Sequence, residues 1–94
     1  MMPTYYLLQL SRTAWDVTAV CTNQDTLETI EKAAQELQSI VQVKNVQKGK
    51  RSITVSCKEK DVETLFWHII EQVCIRGWEP YANGSYALFF RLKV

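Results

Sequence analysis

The feature that most constrains this chain is an internal repeat. Residues 17–25, VTAVCTNQD, lie over residues 53–61, ITVSCKEKD, so that Thr18 matches Thr54, Cys21 matches Cys57 and Asp25 matches Asp61. Each copy opens with a period-two strand. Val17, Ala19 and Cys21 share one face of the first, and Ile53, Val55 and Cys57 share one face of the second. A polar loop and a helical pattern follow each strand. Leu27, Ile30, Ala33, Ala34, Leu37 and Ile40 make one apolar stripe; Val62, Leu65, Phe66, Ile69, Ile70 and Val73 make the other. A β-α-β unit written twice predicts an α+β fold with a ferredoxin-like β-α-β-β-α-β sandwich. Its two helices sit on one face of the sheet, and its first and third strands form a central parallel pair. Residues 5–10, YYLLQL, then read as an extra N-terminal strand.

Local signals set the boundaries. Asp25 with Glu28 resembles a capping box at the start of the first helix, and the second begins near Asp61. Residues 41–47 return as a strand, and Lys48-Gly49-Lys50 reads as a hairpin turn with glycine supplying positive φ. Gly77 is a helix stop, Asn83-Gly84 is a hairpin signal, and residues 85–93 close the chain as a strand.

At 94 residues, 47% of them hydrophobic, the chain is sized for a single domain spanning 1–94 with its own core. A net charge of +1 argues against a strong global field towards nucleic acid or membrane. Three cysteines without a C-x-x-C pair disfavour a disulfide framework or a zinc ribbon and point to a cytoplasmic protein. The first residues lack the features of a signal peptide, and no apolar run has the length of a membrane span.

The candidate sites are few. Cys21 and Cys57, at equivalent positions, invite a redox pair or soft-metal reading, but a cysteine without neighbouring ligands is ordinarily a small buried hydrophobe. His68 has no serine, cysteine or carboxylate at catalytic spacing. The three glycines stand alone, so no phosphate-binding loop exists. The expectation is a non-enzyme with no catalytic residue, metal or cofactor. Lys48, Lys50 and Arg51 are candidate phosphate contacts, although the outward positions of 52–58 lack the stacking aromatics of an RNA-recognition sheet. The apolar arc of the second helix is wider than one sheet needs, since Trp67, Ile70 and Cys74 extend it. Tyr6, Leu8, Val20, Phe89 and Trp67 are the candidate partner surface, an exposed apolar patch being a usual mark of an interface.

Residues 69–91, IIEQVCIRGWEPYANGSYALFFR, resemble short bacterial domains of unknown function built around a Gly-Trp-Glu turn, matching at Gly77, Trp78, Glu79 and the closing Phe89-Phe90-Arg91. Pro80 departs from the aliphatic residue usual there. The resemblance implies a helix–strand–strand ending and no activity; Trp78 is expected to cover the helix end against the sheet.

These observations favour a small protein-binding module, an adaptor or inhibitor, acting through an exposed sheet face or edge and forming a homodimer. The alternatives are a nucleic-acid-binding domain using the 48–51 hairpin and a small-molecule sensor at a dimer interface.

Overall fold

In a computed structural model, which describes residues 7–92, the chain forms six strands and two helices. The strands are β1 (Leu7–Arg12), β2 (Asp16–Cys21), β3 (Val43–Lys48), β4 (Ser52–Cys57), β5 (Trp78–Asn83) and β6 (Ala87–Leu92). The helices are α1 (Gln24–Glu36) and α2 (Val62–Ile75), the latter entered through a single 3-10 turn at Glu59–Asp61. The strands form one sheet in the order β3-β4-β2-β1-β6-β5, and every neighbouring pair is antiparallel.

The fold is therefore a small α+β domain, but its sheet has six strands rather than four or five. The two repeated strands, β2 and β4, do lie side by side. They run antiparallel, not parallel as expected, with Thr18 opposite Thr54. The threonine hydroxyls are hydrogen-bonded at 3.1 Å. This register puts the matched pair of the repeat at the centre of an approximate two-fold axis normal to the sheet. Val17 faces Val55 on one side of it and Ala19 faces Ile53 on the other. The strand after α1, β3, pairs directly with β4. Symmetry would set the strand after α2 beside β2. That place is taken by β1, the strand that the repeat left unassigned, and the β5–β6 hairpin continues outward from it.

The core lies between the sheet and the helices. Leu8, Leu10, Val17, Ala19, Ile53, Val55 and Phe90 project into it, against Ile30 and Ala33 of α1 and Leu65, Ile69 and Val73 of α2. Leu8 is 0% exposed, so it cannot belong to an open surface. It faces Cys21 and Phe90 on the covered side, and Leu7, 45% exposed, takes the outward position instead. Tyr6 lies outside the described residues.

Other boundaries shift for local reasons. The cap of α1 is Asn23, not Asp25: its side-chain oxygen accepts the Thr26 N–H at 3.1 Å. The helix ends at Glu36, and a turn in which Val41 N–H reaches the Leu37 carbonyl brings Val41 into the core and leaves Ile40 72% exposed. Gly77 has φ +103°, the left-handed conformation expected of it. Gly49 and Gly84 do not adopt positive φ. They serve by having no side chain: a Cβ on Gly49 would stand 2.6 Å from the Ser52 Oγ, and one on Gly84 2.9 Å from the Phe89 ring.

Denaturant titration tests the phase of β1. Leu8→Ala should cost about 2–5 kcal/mol through the cavity it leaves, whereas Leu7→Ala should stay within about 0.5 kcal/mol of the parent; equal effects would contradict this register.

Candidate functional site

Six strands at about 4.8 Å spacing put the two outer strand axes roughly 24 Å apart, while the axes of two packed helices lie only about 8–10 Å apart. Coverage is uneven as a result. α1 packs over β2, β3 and β4, and α2 packs against α1 and crosses β2 towards the start of β5. The first residue of β5, Trp78, is buried there, and its indole N–H donates to the buried Thr26 hydroxyl at 3.2 Å. The Gly77-Trp78 step thus ties the end of α2 to the start of α1. Glu79 points to the other face, where its carboxylate accepts from Arg91 Nε at 2.7 Å.

Beyond Trp78 the helix-side face of β5 and β6 opens. Phe90 is buried, Leu88 is half-buried and Pro80 is exposed. A groove runs there between α2 and the β5–β6 hairpin. Its floor is Pro80 and Leu88, and Trp67 and Ile70 of α2 form the wall. It continues past Trp67 to Arg12, Phe66 and the hairpin turn at Ser85 and Tyr86. Helical spacing explains the wall. Val62, Leu65, Phe66, Ile69 and Val73 are the buried stripe of α2. Trp67, Ile70 and Cys74 form a second stripe, turned about a quarter to a third of the circumference away. His68, on the opposite flank, has Nε2 3.9 Å from the Glu36 carboxylate of α1, so the second stripe faces away from α1. Trp67 is 58% exposed, with its ring edge-on to Phe66. The Arg12 guanidinium sits 5.1 Å from the Phe66 ring centre, closing the groove's lower end with a cation–π contact.

The uncovered face of the sheet has a different character. Gln47, Thr54, Thr18 and Ser11 follow one another across it, and Asn45, Ser56 and Asp16 make a second row, with the Ser56 hydroxyl donating to Asp16 at 2.6 Å. Val20 and Phe89 are on this face, as expected, flanking Gln9 and close to Leu7. They make a small apolar patch in a field of hydroxyls and amides. Both lateral edges are blunted. β3 carries Lys44, Lys48 and a register shift between Val43 and Asn45; β5 carries Pro80 and a register shift between Pro80 and Ala82. Trp67 belongs to the helix layer, apart from Val20, whereas Phe89, beside the register shift of the β5–β6 pair, borders the same groove as Trp67.

The remaining candidates are not brought together. Antiparallel pairing sends Cys21 and Cys57 to opposite ends of the central strands, on the order of 20 Å apart. Each is buried, and burial raises both thiol pKa values. Cys21 is partly offset by the Asn23 N–H, which donates to its sulfur at 3.4 Å. Among the described residues no cluster of metal ligands forms, and no helix is long and apolar enough to cross a membrane. In the 48–51 hairpin, Lys50 and Arg51 are exposed, but the Lys48 ammonium lies 3.1 Å from Glu31 of α1. His68 Nε2 has no hydrogen-bond partner.

The groove was partly legible: the widened arc of α2 announced its wall. Its floor was not, because Pro80 and Leu88 meet α2 only through the displaced β5–β6 hairpin. Comparison of the chain with protein families, with characterised proteins and with solved structures finds no match.

Thiol titration of the folded protein should show one accessible cysteine, Cys74, whose thiol pKa is pushed up by partial burial and which so reacts faster as the pH rises, with Cys21 and Cys57 reacting only on unfolding. Rapid reaction of all three, or an intramolecular Cys21–Cys57 disulfide, would contradict the arrangement.

Proposed function

We propose that this protein is a non-enzymatic protein-binding module, and that it binds through the groove between α2 and the β5–β6 hairpin. The observation that carries the reading is the second apolar stripe of α2. Trp67 is largely exposed and Ile70 only partly packed against the core, and the two border a floor of exposed Pro80 and half-buried Leu88. Contiguous apolar surface of this kind on a small domain is a usual mark of an interaction site, and a half-exposed tryptophan beside a pocket is the side chain that most often dominates one. The sheet-face and sheet-edge routes have less support, the face being largely hydroxyl and amide and the edges being blunted. The same chain order, β2-α1-β3-β4-α2-β5, fits a ferredoxin-like origin into which β1 and β6 have been inserted, and we read the fold in that way.

A nucleic-acid reading rests on three cations, of which Lys48 is already engaged by Glu31. Two comparisons separate the readings. Trp67→Glu, in a protein of unchanged circular dichroism, should abolish most of the fluorescence of a hydrophobic dye bound to the native state; undiminished dye binding would rule out the groove. A Lys48, Lys50, Arg51 triple alanine should leave weak, salt-sensitive retention on DNA or RNA unchanged, and a selective loss of retention would favour the rival.

A further inference from the structure

We propose that Asn83 is a site of spontaneous covalent modification, at which the side-chain amide condenses with the backbone nitrogen of Gly84 and hydrolyses to aspartate and isoaspartate. Asn83-Gly84 serves the fold as a hairpin signal. The same pair is chemically reactive, because glycine places no Cβ beside the attacking nitrogen.

The step needs water and no other reagent. The Gly84 nitrogen attacks the Asn83 Cγ; the N–Cγ bond forms and the Cγ–Nδ2 bond breaks. The side-chain nitrogen leaves as ammonia with the proton of the Gly84 amide, and a succinimide ring remains. Water then opens the ring. Cleavage of the bond to Cγ gives aspartate. Cleavage of the bond to the Asn83 carbonyl carbon gives isoaspartate, with the main chain rerouted through Cβ and Cγ.

The chain has three asparagines, Asn23, Asn45 and Asn83, and the structure sets them apart. Asn23 caps α1. Its side-chain oxygen accepts the Thr26 N–H at 3.1 Å, and Gln24, which would supply the nucleophile, is the first residue of the helix. Asn45 precedes Val46, whose branched Cβ crowds the nitrogen, and both are held in the β3–β4 ladder opposite Ser56 and Val55. Asn83 has neither restraint. Its side chain makes no hydrogen bond among the described residues, and residues 81–86 are all exposed.

One bond gates the reaction. The Gly84 N–H donates to the Ala87 carbonyl at 2.9 Å and closes the turn, so the nucleophile is released only when the turn opens. Opening costs little here, since β5 is a border strand paired on one side and the turn has no buried residue. The product changes what the hairpin presents. Asn83 borders both stretches of the groove, and a carboxylate there joins a lining whose one charged side chain is Arg12. Isoaspartate also inserts a carbon into the main chain of β5, which breaks the pairing of Asn83 with Leu88. The site stands whether or not the groove binds a partner.

The test is timed incubation of the full-length protein at mildly alkaline pH, followed by digestion in acid, which halts the reaction, and mass spectrometry of the peptides holding each asparagine. Conversion at Asn83 should exceed that at Asn23 and Asn45 by at least an order of magnitude, yield both aspartate and isoaspartate, and quicken as the pH rises. Denaturant should accelerate it by releasing the Gly84 N–H. Asn83→Gln, which would need a larger ring, should abolish the modification with the circular dichroism unchanged. An Asn83 that stays intact, that converts no faster than the other two, or that yields aspartate without isoaspartate would overturn the inference. Equal rates in native and denatured protein would overturn the gating by Ala87.

Discussion

Everything in this domain hangs on the antiparallel seam between β2 and β4. The two strands are the most alike in sequence and sit side by side, with their apolar faces, Val17, Ala19 and Cys21 against Ile53, Val55 and Cys57, turned the same way. Because the pairing is antiparallel about Thr18 and Thr54, the helix that follows each strand returns over the same face in the opposite sense. The two helices can then pack against one another above the seam. Their mutual contact and their contact with the seam bury most of the core, and non-directional burial of this kind dominates the stability of small domains.

The departure from symmetry is what leaves part of the helix-side face of the sheet without a helix over it. Had the chain ended in two equal halves, two helices would have sufficed for the sheet. Insertion of β1 beside β2 pushes the β5–β6 hairpin outward and widens the sheet beyond its helical cover. α2 then presents two faces: one stripe seals the core, and beside it Trp67 and the partly buried Ile70 border the groove towards β5 and β6.

How much of this was readable in advance depends on whether the deciding contact was local. The alternation in 17–21 and 53–57 set the faces of β2 and β4 correctly, since each residue's side follows from its neighbours alone. Strand direction did not follow, because parallel and antiparallel partners leave the same alternation. The phase of β1 was also hidden. In YYLLQL nearly every position is apolar, and only pairing with Cys21 and Phe90 decides that Leu8 goes in and Leu7 out. Ile40 satisfied the helical period, but the helix stops before reaching it and the following turn hands its place to Val41. The second stripe of α2 was visible as excess apolar arc, while the floor opposite it depended on a hairpin whose destination no short-range signal encodes.

The proline and the register shifts at the two borders of the sheet have a consequence for how this molecule meets others. A flat six-stranded antiparallel sheet with free margins is a template on which further chains can add without limit. Here the margin formed by β5 lacks a donor at Pro80, and both margins are bent out of register, so growth by strand addition is discouraged at either side. Open-ended edge-to-edge pairing of copies is thereby disfavoured at both borders of the sheet.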